Sequence, residues 1–357
     1  MGRWKPSRAY RHDYAGIIDK LLYKINHKIR KSEKFRNMVL PLYASYRHRN
    51  HKPDPGKKGD LYMTEEQTKV TGFGHGFGSW RAGYINACEL GLKYAYTELV
   101  SEKWEKTLGL GHGETRAKDL LAKGYRKVRL PYYDMNHEDS RAFIRQIIES
   151  YADEKVVFYN IIEQRNSLVS DQIGNEFIRK KFWSSPARAE DKVVYDEGKF
   201  SIALHIRRGD VAESVAAGRK DLLGMWLDNS YYVKLLDLIL GITGEEKTEV
   251  YVFSEGKESD FPEFEKYGNI KYVLNGSPQE AFINLCNADL LITASSSFSR
   301  EAGDINKNPK LATDKQKGYP RNGEWLLVHE DGSLYDGCEE ALENYLKSVE
   351  IKNEKNG

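Results

Sequence analysis

The chain has 357 residues, of which 40% are hydrophobic and 30% charged, with a formal net charge of +2. This is enough for two ordinary domains with cores of their own, and it excludes a low-complexity, collagen-like or disordered chain. Three cysteines (Cys88, Cys286 and Cys338) are too few and too scattered for a disulfide framework or a zinc site, which points to a reducing compartment.

The charge is unevenly spread. Residues 1–60 hold 16 Lys/Arg against 5 Asp/Glu, a net +11, and the rest of the chain is acidic by 9. A solvated helical extension is the plain reading; an anionic membrane surface, nucleic acid or a partner protein are the sharper ones. Ile17, Ile18, Leu21, Leu22 and Ile25 recur at helical spacing between Tyr14 and Lys34, so an amphipathic helix is expected there. His48 to Asp60 reads as a linker by its Pro, Gly and Lys content. No run approaches a membrane span and no signal-peptide core opens the chain, so a soluble cytoplasmic protein is expected.

A first domain is expected over 61–196. It opens with Val70-Thr-Gly-Phe-Gly-His-Gly-Phe-Gly, read as a loop with glycines at 72, 74, 76 and 78, before a helix from Trp80 to Lys103. A strand at Arg126–Leu130, a helix at Arg141–Tyr151 and a strand at Val156–Ile162 follow. A second domain, 197–335, alternates clearly. Strands are predicted at Phe200–Arg207, Glu249–Phe253, Ile270–Leu274 and Asp289–Thr293, with a last one at Trp325–His329. Helices are predicted at Ser230–Leu240, near Phe261–Tyr267, at Pro278–Asn287 and from about Ser299, and residues 336–357 form a closing helix and tail. Strands separated by helices at this spacing make a parallel sheet with right-handed crossovers.

The candidate chemistry collects where these strands end. Phe200-Ser-Ile-Ala-Leu-His-Ile is a buried strand that runs abruptly into Arg207, Arg208, Gly209 and Asp210. Two planar, permanently charged donor forks there suit phosphate oxygens, and Asp210 can hold one of them. Ser295, Ser296, Ser297 and Ser299 end another strand at a helix start, where hydroxyls and free N–H groups suit a diphosphate. Ser254 and Glu255 are placed to meet a sugar or base. Ser277-Pro-Gln-Glu280 has the form of a capping box, with a ribose contact by Glu280 as the further option. In the glycine run, Gly74 and Gly76 let backbone approach an anion, and His75 is the titratable group beside them, able to act as a base. Asp134 and His137 lack the spacing of a closed metal site.

His205-Ile-Arg207-Arg208-Gly209-Asp210 resembles the His-x-Arg-Arg-x-Asp motif of the fucosyltransferase superfamily that includes α1,2-, α1,6- and protein O-fucosyltransferases. Ala288-Asp289 and Ser296-Ser297-Phe298-Ser299 are similar to a second segment of that superfamily, and the glycine-rich run precedes a helix as it does there. The resemblance spans residues 70–305 as islands. It implies the GT-B architecture, an α/β fold of two facing Rossmann-like domains, here with a basic helical N-terminal extension. It also implies an inverting transfer of fucose from GDP-fucose to a glycan or other hydroxyl acceptor, with no cofactor and no metal. Arg207 or Arg208 would hold the β-phosphate and stabilise leaving-group charge. His205 would lie by the diphosphate or ribose, Ser296 and Ser297 would donate to phosphate, and His75 matches the base position. The glycine run differs from the Gly-Leu-Gly-Asn-Gln of the α1,2 branch, so that acceptor class does not carry over; Ala281 stands near the acidic position of the α1,6 branch.

The resulting expectation is a GDP-sugar-dependent glycosyltransferase. Nucleic acid is not expected as a partner, and peripheral membrane contact through the arm is an open option. The alternatives are the same fold with another nucleotide sugar, or a nucleic-acid- or membrane-binding protein acting through its basic arm.

Overall fold

The structure, a computed structural model, describes residues 28, 31–50, 52–66, 73–99, 101–131, 133, 135, 137–160, 171–218, 222–315 and 323–356. The expected amphipathic helix at Tyr14–Lys34 lies mostly outside the described residues. The chain is α/β and divides into two compact units, Met1–Ala187 and Arg188–Gly357, each built on a parallel sheet.

In the first unit α1 (Glu33–Asn50) is followed by β1 (Asp60–Glu65), α2 (Phe73–Glu89), β2 (Lys93–Tyr94), α3 (Glu102–Leu108) and α4 (Ala117–Ala122). Then come β3 (Arg126–Arg129), α5 (Glu138–Glu149), β4 (Lys155–Asn160) and α6 (Asp171–Ser184). The sheet order is β2-β1-β4-β3, all parallel. Met63, Val156 and Phe158 of the sheet pack with Ile144 and Ile147 of α5 in one fully buried cluster. Each such side chain contributes roughly 1.5–3 kcal/mol.

Two expectations for this unit are corrected. The linker begins only after Asn50, because α1 runs that far. The described part of the glycine run is not a loop: Gly74, His75, Gly76 and Gly78 are inside α2 (Phe73–Glu89), which stops well short of Lys103, while Val70, Thr71 and Gly72 lie outside the described residues. Glycine disfavours a helix by about 1 kcal/mol per residue, and here aromatic packing prevails. Phe73 and Phe77 stack at 5.4 Å, Phe77 and Trp80 at 5.9 Å, and Trp104 covers Phe73 at 3.7 Å.

In the second unit β5 (Phe200–His205), α7 (Asp210–Ala216), α8 (Asn229–Thr243), β6 (Thr248–Ser254), β7 (Ile270–Leu274) and α9 (Pro278–Asn287) are followed by β8 (Leu290–Ile292) and α10 (Ser297–Ile305). β9 (Lys310–Thr313), β10 (Trp325–Val328) and α11 (Cys338–Asn356) complete it. Ile202, Leu204, Val250, Val252, Leu290 and Ile292 fill the sheet, and Leu235, Leu236 and Ile239 of α8 join the same core. The helix expected near Phe261–Tyr267 is instead a pair of short 3-10 turns, Glu258–Asp260 and Pro262–Phe264.

The domain break expected at 196 falls inside this unit. Residues 188–196 are stapled to it: the Val194 amide donates to Asn284 Oδ1 at 2.9 Å, the Tyr251 hydroxyl donates to the Val194 carbonyl at 2.8 Å, and the Tyr195 hydroxyl donates to the Asn284 carbonyl at 2.8 Å.

The parallel order of the second sheet is β10-β9-β8-β5-β6-β7. From β5 the chain adds β6 and β7 on one side, then returns to add β8, β9 and β10 on the other. Counted from β5, this is the 3-2-1-4-5-6 order of a doubly wound sheet.

Candidate functional site

In a doubly wound sheet the direction of winding reverses between the first and fourth strands, and ligands sit in the crevice beyond the carboxyl ends of the strands at that point. Here the reversal lies between β5 and β8, which pair through Ile202–Leu290 and Leu204–Ile292. The segments leaving those strands are Ile206-Arg207-Arg208-Gly209 and Thr293-Ala294-Ser295-Ser296.

They meet. Arg207 Nη1 donates to Ser296 Oγ at 3.3 Å, and Arg207 Nη2 lies 2.9 Å from each oxygen of Asp210, the first residue of α7. Ser296 is also the N-cap of α10, its Oγ accepting from the Phe298 amide at 3.3 Å. One hydroxyl thus fixes the start of a nine-residue helix and locates a guanidinium. The arrangement combines a half-buried fork, a hydroxyl and the positive end of a helix dipole.

Beside it is a cavity of 570 Å³, walled by His205, Ile206, Arg207 and Asp210 from the end of β5 and by Phe253, Ser254 and Glu255 from β6. Val273, Asn275, Ser277, Glu280, Ala281 and Asn284 enclose it from β7 and α9, with Lys192, Val194 and Phe298 at its edges. The exposed lining is mainly apolar by area, but ten of its eighteen residues carry polar or charged side chains, so the cavity offers an apolar surface with many polar groups around it. The His205 ring lies 5.3 Å from that of Phe298. Burial first, and the neighbouring Arg207 charge second, hold its imidazole down to about 3, so the ring is neutral at ordinary pH. Its Nδ1 is buried without a partner.

Arg208 turns the other way. It is 6% exposed, with Nη1 donating to the Leu227 carbonyl at 3.2 Å and Nη2 to Asn229 Oδ1 at 2.5 Å. Its guanidinium lies 4.0 Å from the centre of the Trp226 ring, and burial pushes its pKa below the usual arginine value. It lines a second cavity, of 770 Å³, together with Trp226, Asp228, Asn229 and Glu263. Glu255 borders both cavities. Gly209 adopts φ +45°, and a Cβ there would collide with the Glu255 carboxylate.

The remaining sequence candidates sort by what their atoms already do. Ser295 is buried and its hydroxyl donates to the Gly224 carbonyl at 3.4 Å, while Ser299 donates to the Ala294 carbonyl at 3.3 Å. Ser297, the first residue of α10, is exposed. The Ser254 hydroxyl donates to the Ile206 carbonyl at 2.7 Å, tying β6 to the arginine segment. The capping box expected at Ser277 does not form: its hydroxyl contacts Gln279 Oε1 at 3.1 Å and makes no cap bond. Glu280 is therefore free of that role and stands exposed at the cavity wall. Gly74, His75 and Gly76 belong to α2 of the first unit.

Sequence reasoning missed three parts of this site. Asn275 has a positive φ of 55°. Its side-chain amide accepts from the Gly256 amide at 3.0 Å and donates to the Gly256 carbonyl at 2.8 Å, clamping the β6 exit loop. Its place directly after a strand was the available signal. Asn284 and the Lys192–Val194 wall are set by long-range contacts with no local signature. Trp226 and Asn229, which hold Arg208, are equally remote in sequence.

No protein-family profile and no curated protein matches the chain. Among solved structures it is similar to POFUT1 in complex with GDP, with 12% identity and a TM-score of 0.39, over 72% of this chain and 98% of that one. It is also similar to E. coli heptosyltransferase WaaC with ADP-2-deoxy-2-fluoro heptose, with 10% identity and a TM-score of 0.38, over 84% of this chain and 100% of that one. A third similarity is to the spinosyn rhamnosyltransferase SpnG complexed with spinosyn aglycone, with 14% identity and a TM-score of 0.26, over 45% of this chain and 39% of that one.

Proposed function

We propose that the second unit binds a nucleotide sugar and that the protein is an inverting glycosyltransferase. The observation that carries this reading is the Arg207–Ser296 contact, which joins a guanidinium to a helix N-cap at the switch point of a doubly wound sheet. The diphosphate lies against Arg207 Nη1, the Ser296 hydroxyl and the exposed Ser297, and the nucleoside occupies the cavity beside it. Asp210 holds the fork in register. GDP-fucose is the proposed donor, on the resemblance of His205–Asp210 to the fucosyltransferase motif.

In the reaction an acceptor hydroxyl attacks the anomeric carbon as the bond to the β-phosphate oxygen breaks. The nucleoside diphosphate leaves with the electron pair, and Arg207 stabilises the charge that develops on it. The hydroxyl proton passes to a general base. Donor binding is proposed to need no metal. Arg208 supports the site by fixing Trp226 and the start of α8 at Asn229.

Calorimetric titration of GDP, UDP, ADP and CMP, with and without a divalent cation, tests the reading. Metal-independent binding of GDP that is weakened roughly tenfold to hundredfold in Arg207→Ala is the expected result. Preference for UDP or ADP would keep the site and change the donor. No binding of any of them would overturn the proposal.

A further inference from the structure

Helix α1 has two contrasting faces. Leu40 and Ala44, 1% and 0% exposed, point into the first unit, where Ala44 joins Ile144 and Ile147 of α5. On the opposite side Met38, Leu42 and Tyr46 are 56%, 68% and 63% exposed. Each is four residues from the next, so they form one stripe about 12 Å long at 1.5 Å per residue. Seven large hydrophobic residues are exposed among the described ones, and three of them are on this stripe. Lys34, four residues before Met38, continues the stripe at its N-terminal end, and Lys31 lies just beyond; both are exposed.

We infer that this outer face of α1 docks on an anionic lipid surface. The occupant is chosen by chemistry and charge. Methionine and leucine side chains offer nothing to phosphates or base edges, but they gain free energy in an acyl layer, and a tyrosine ring suits the boundary between acyl chains and headgroups. The surrounding segment, residues 1–60, carries a net +11, which complements a negatively charged membrane. No helix among the described residues is long and apolar enough to cross a bilayer. Contact is therefore parallel to the surface, with the stripe inserted and the basic residues at headgroup level. The inference does not depend on the donor reading.

The test is flotation of the full-length protein with vesicles of phosphatidylcholine alone or with added phosphatidylserine, for the wild type and for Met38→Glu/Leu42→Glu. Because both side chains are exposed, the variant should keep the wild-type unfolding midpoint, and this is measured alongside. The expected result is binding to the phosphatidylserine vesicles, weakened by salt, with a loss of roughly tenfold to hundredfold in the variant, the scale of one or two apolar side chains left in water. Absence of binding to anionic vesicles at low salt would overturn the inference, as would equal binding by the variant. Binding to RNA but not to vesicles, or a dimer that the variant dissociates, would assign the stripe to another occupant and overturn it too.

Discussion

Arg207 and Arg208 are neighbours in the chain, yet their guanidinium groups serve different cavities: Arg207 reaches Ser296 and Asp210, while Arg208 is enclosed by Leu227, Asn229 and Trp226. Both lie in the segment that leaves β5 after His205, and their side chains diverge there, so one strand exit delivers two cations to two places. The two substitutions should therefore differ in kind. Arg207→Ala should lower nucleoside-diphosphate affinity by roughly tenfold to hundredfold, the scale of a charge-assisted hydrogen bond, and leave the urea midpoint nearly unchanged. Arg208→Ala should cost about 2–3 kcal/mol in the same unfolding experiment, since it strips buried acceptors of their donor and opens a void beside Trp226. Equal loss of stability in both variants would contradict this division.

Ser296 is asked to do two things at once. Removing its hydroxyl in Ser296→Ala should cost about 1 kcal/mol of stability, the usual value of an N-cap, and should also weaken diphosphate binding. Ser296→Asp separates the two roles. It restores the cap, and it places a carboxylate where the anion would sit, so binding should fall further as stability recovers. Denaturation and titration on the same three proteins read both effects.

His205 predicts a slope in the pH dependence of stability. Its folded pKa, near 3, lies below the ordinary value of 6.5. The unfolded chain therefore binds more protons between those values. The contribution is fully present above pH 6.5 and is lost as pH falls toward 3, at no more than about 1.4 kcal/mol per pH unit. In His205→Gln this part of the slope should vanish between pH 6.5 and 5, a window in which few carboxylates titrate. An unchanged slope in the variant would show that the imidazole is solvated.

Gly209 and Glu255 are coupled by space. Gly209→Ala places a methyl group against the Glu255 carboxylate, and its φ of +45° is unfavourable for an L-residue. We expect a loss of about 1–3 kcal/mol. In a Glu255→Gly background the steric part should disappear and only the backbone part remain, which a double-mutant cycle measures directly.

Much of the second unit was legible because its strands are short, continuous apolar runs. β7 and α9 fall where the periodicity put them, at Ile270–Leu274 and Pro278–Asn287. The clustering of Arg207 and Ser296 at strand ends could likewise be read, since both follow runs that switch sharply from apolar to polar. The pairing of β5 with β8 could not, because it is a contact between segments far apart in the chain. The separate destinations of Arg207 and Arg208 were hidden for the same reason: Trp226 and Asn229 carry no local mark of their purpose. The glycine run from Gly74 to Gly78 was misread because local propensity argued for a loop, and the stacking of Phe73 on Trp104, a contact between separate segments, has no local mark. At Ser277 the pattern of a cap was present in the letters and absent in the bonds.

The stapling of residues 188–196 to the second unit has a practical corollary for dissecting the gene. A fragment that starts at residue 197 would discard Tyr195 and Val194, leave the Tyr251 hydroxyl with only Glu249 and Lys271 and the Asn284 side chain with only the Glu280 carbonyl, and remove Lys192 and Val194 from the wall of the smaller cavity. A fragment that starts at Arg188 retains every residue lining that cavity. The cut that respects the molecule lies upstream of where composition would place it.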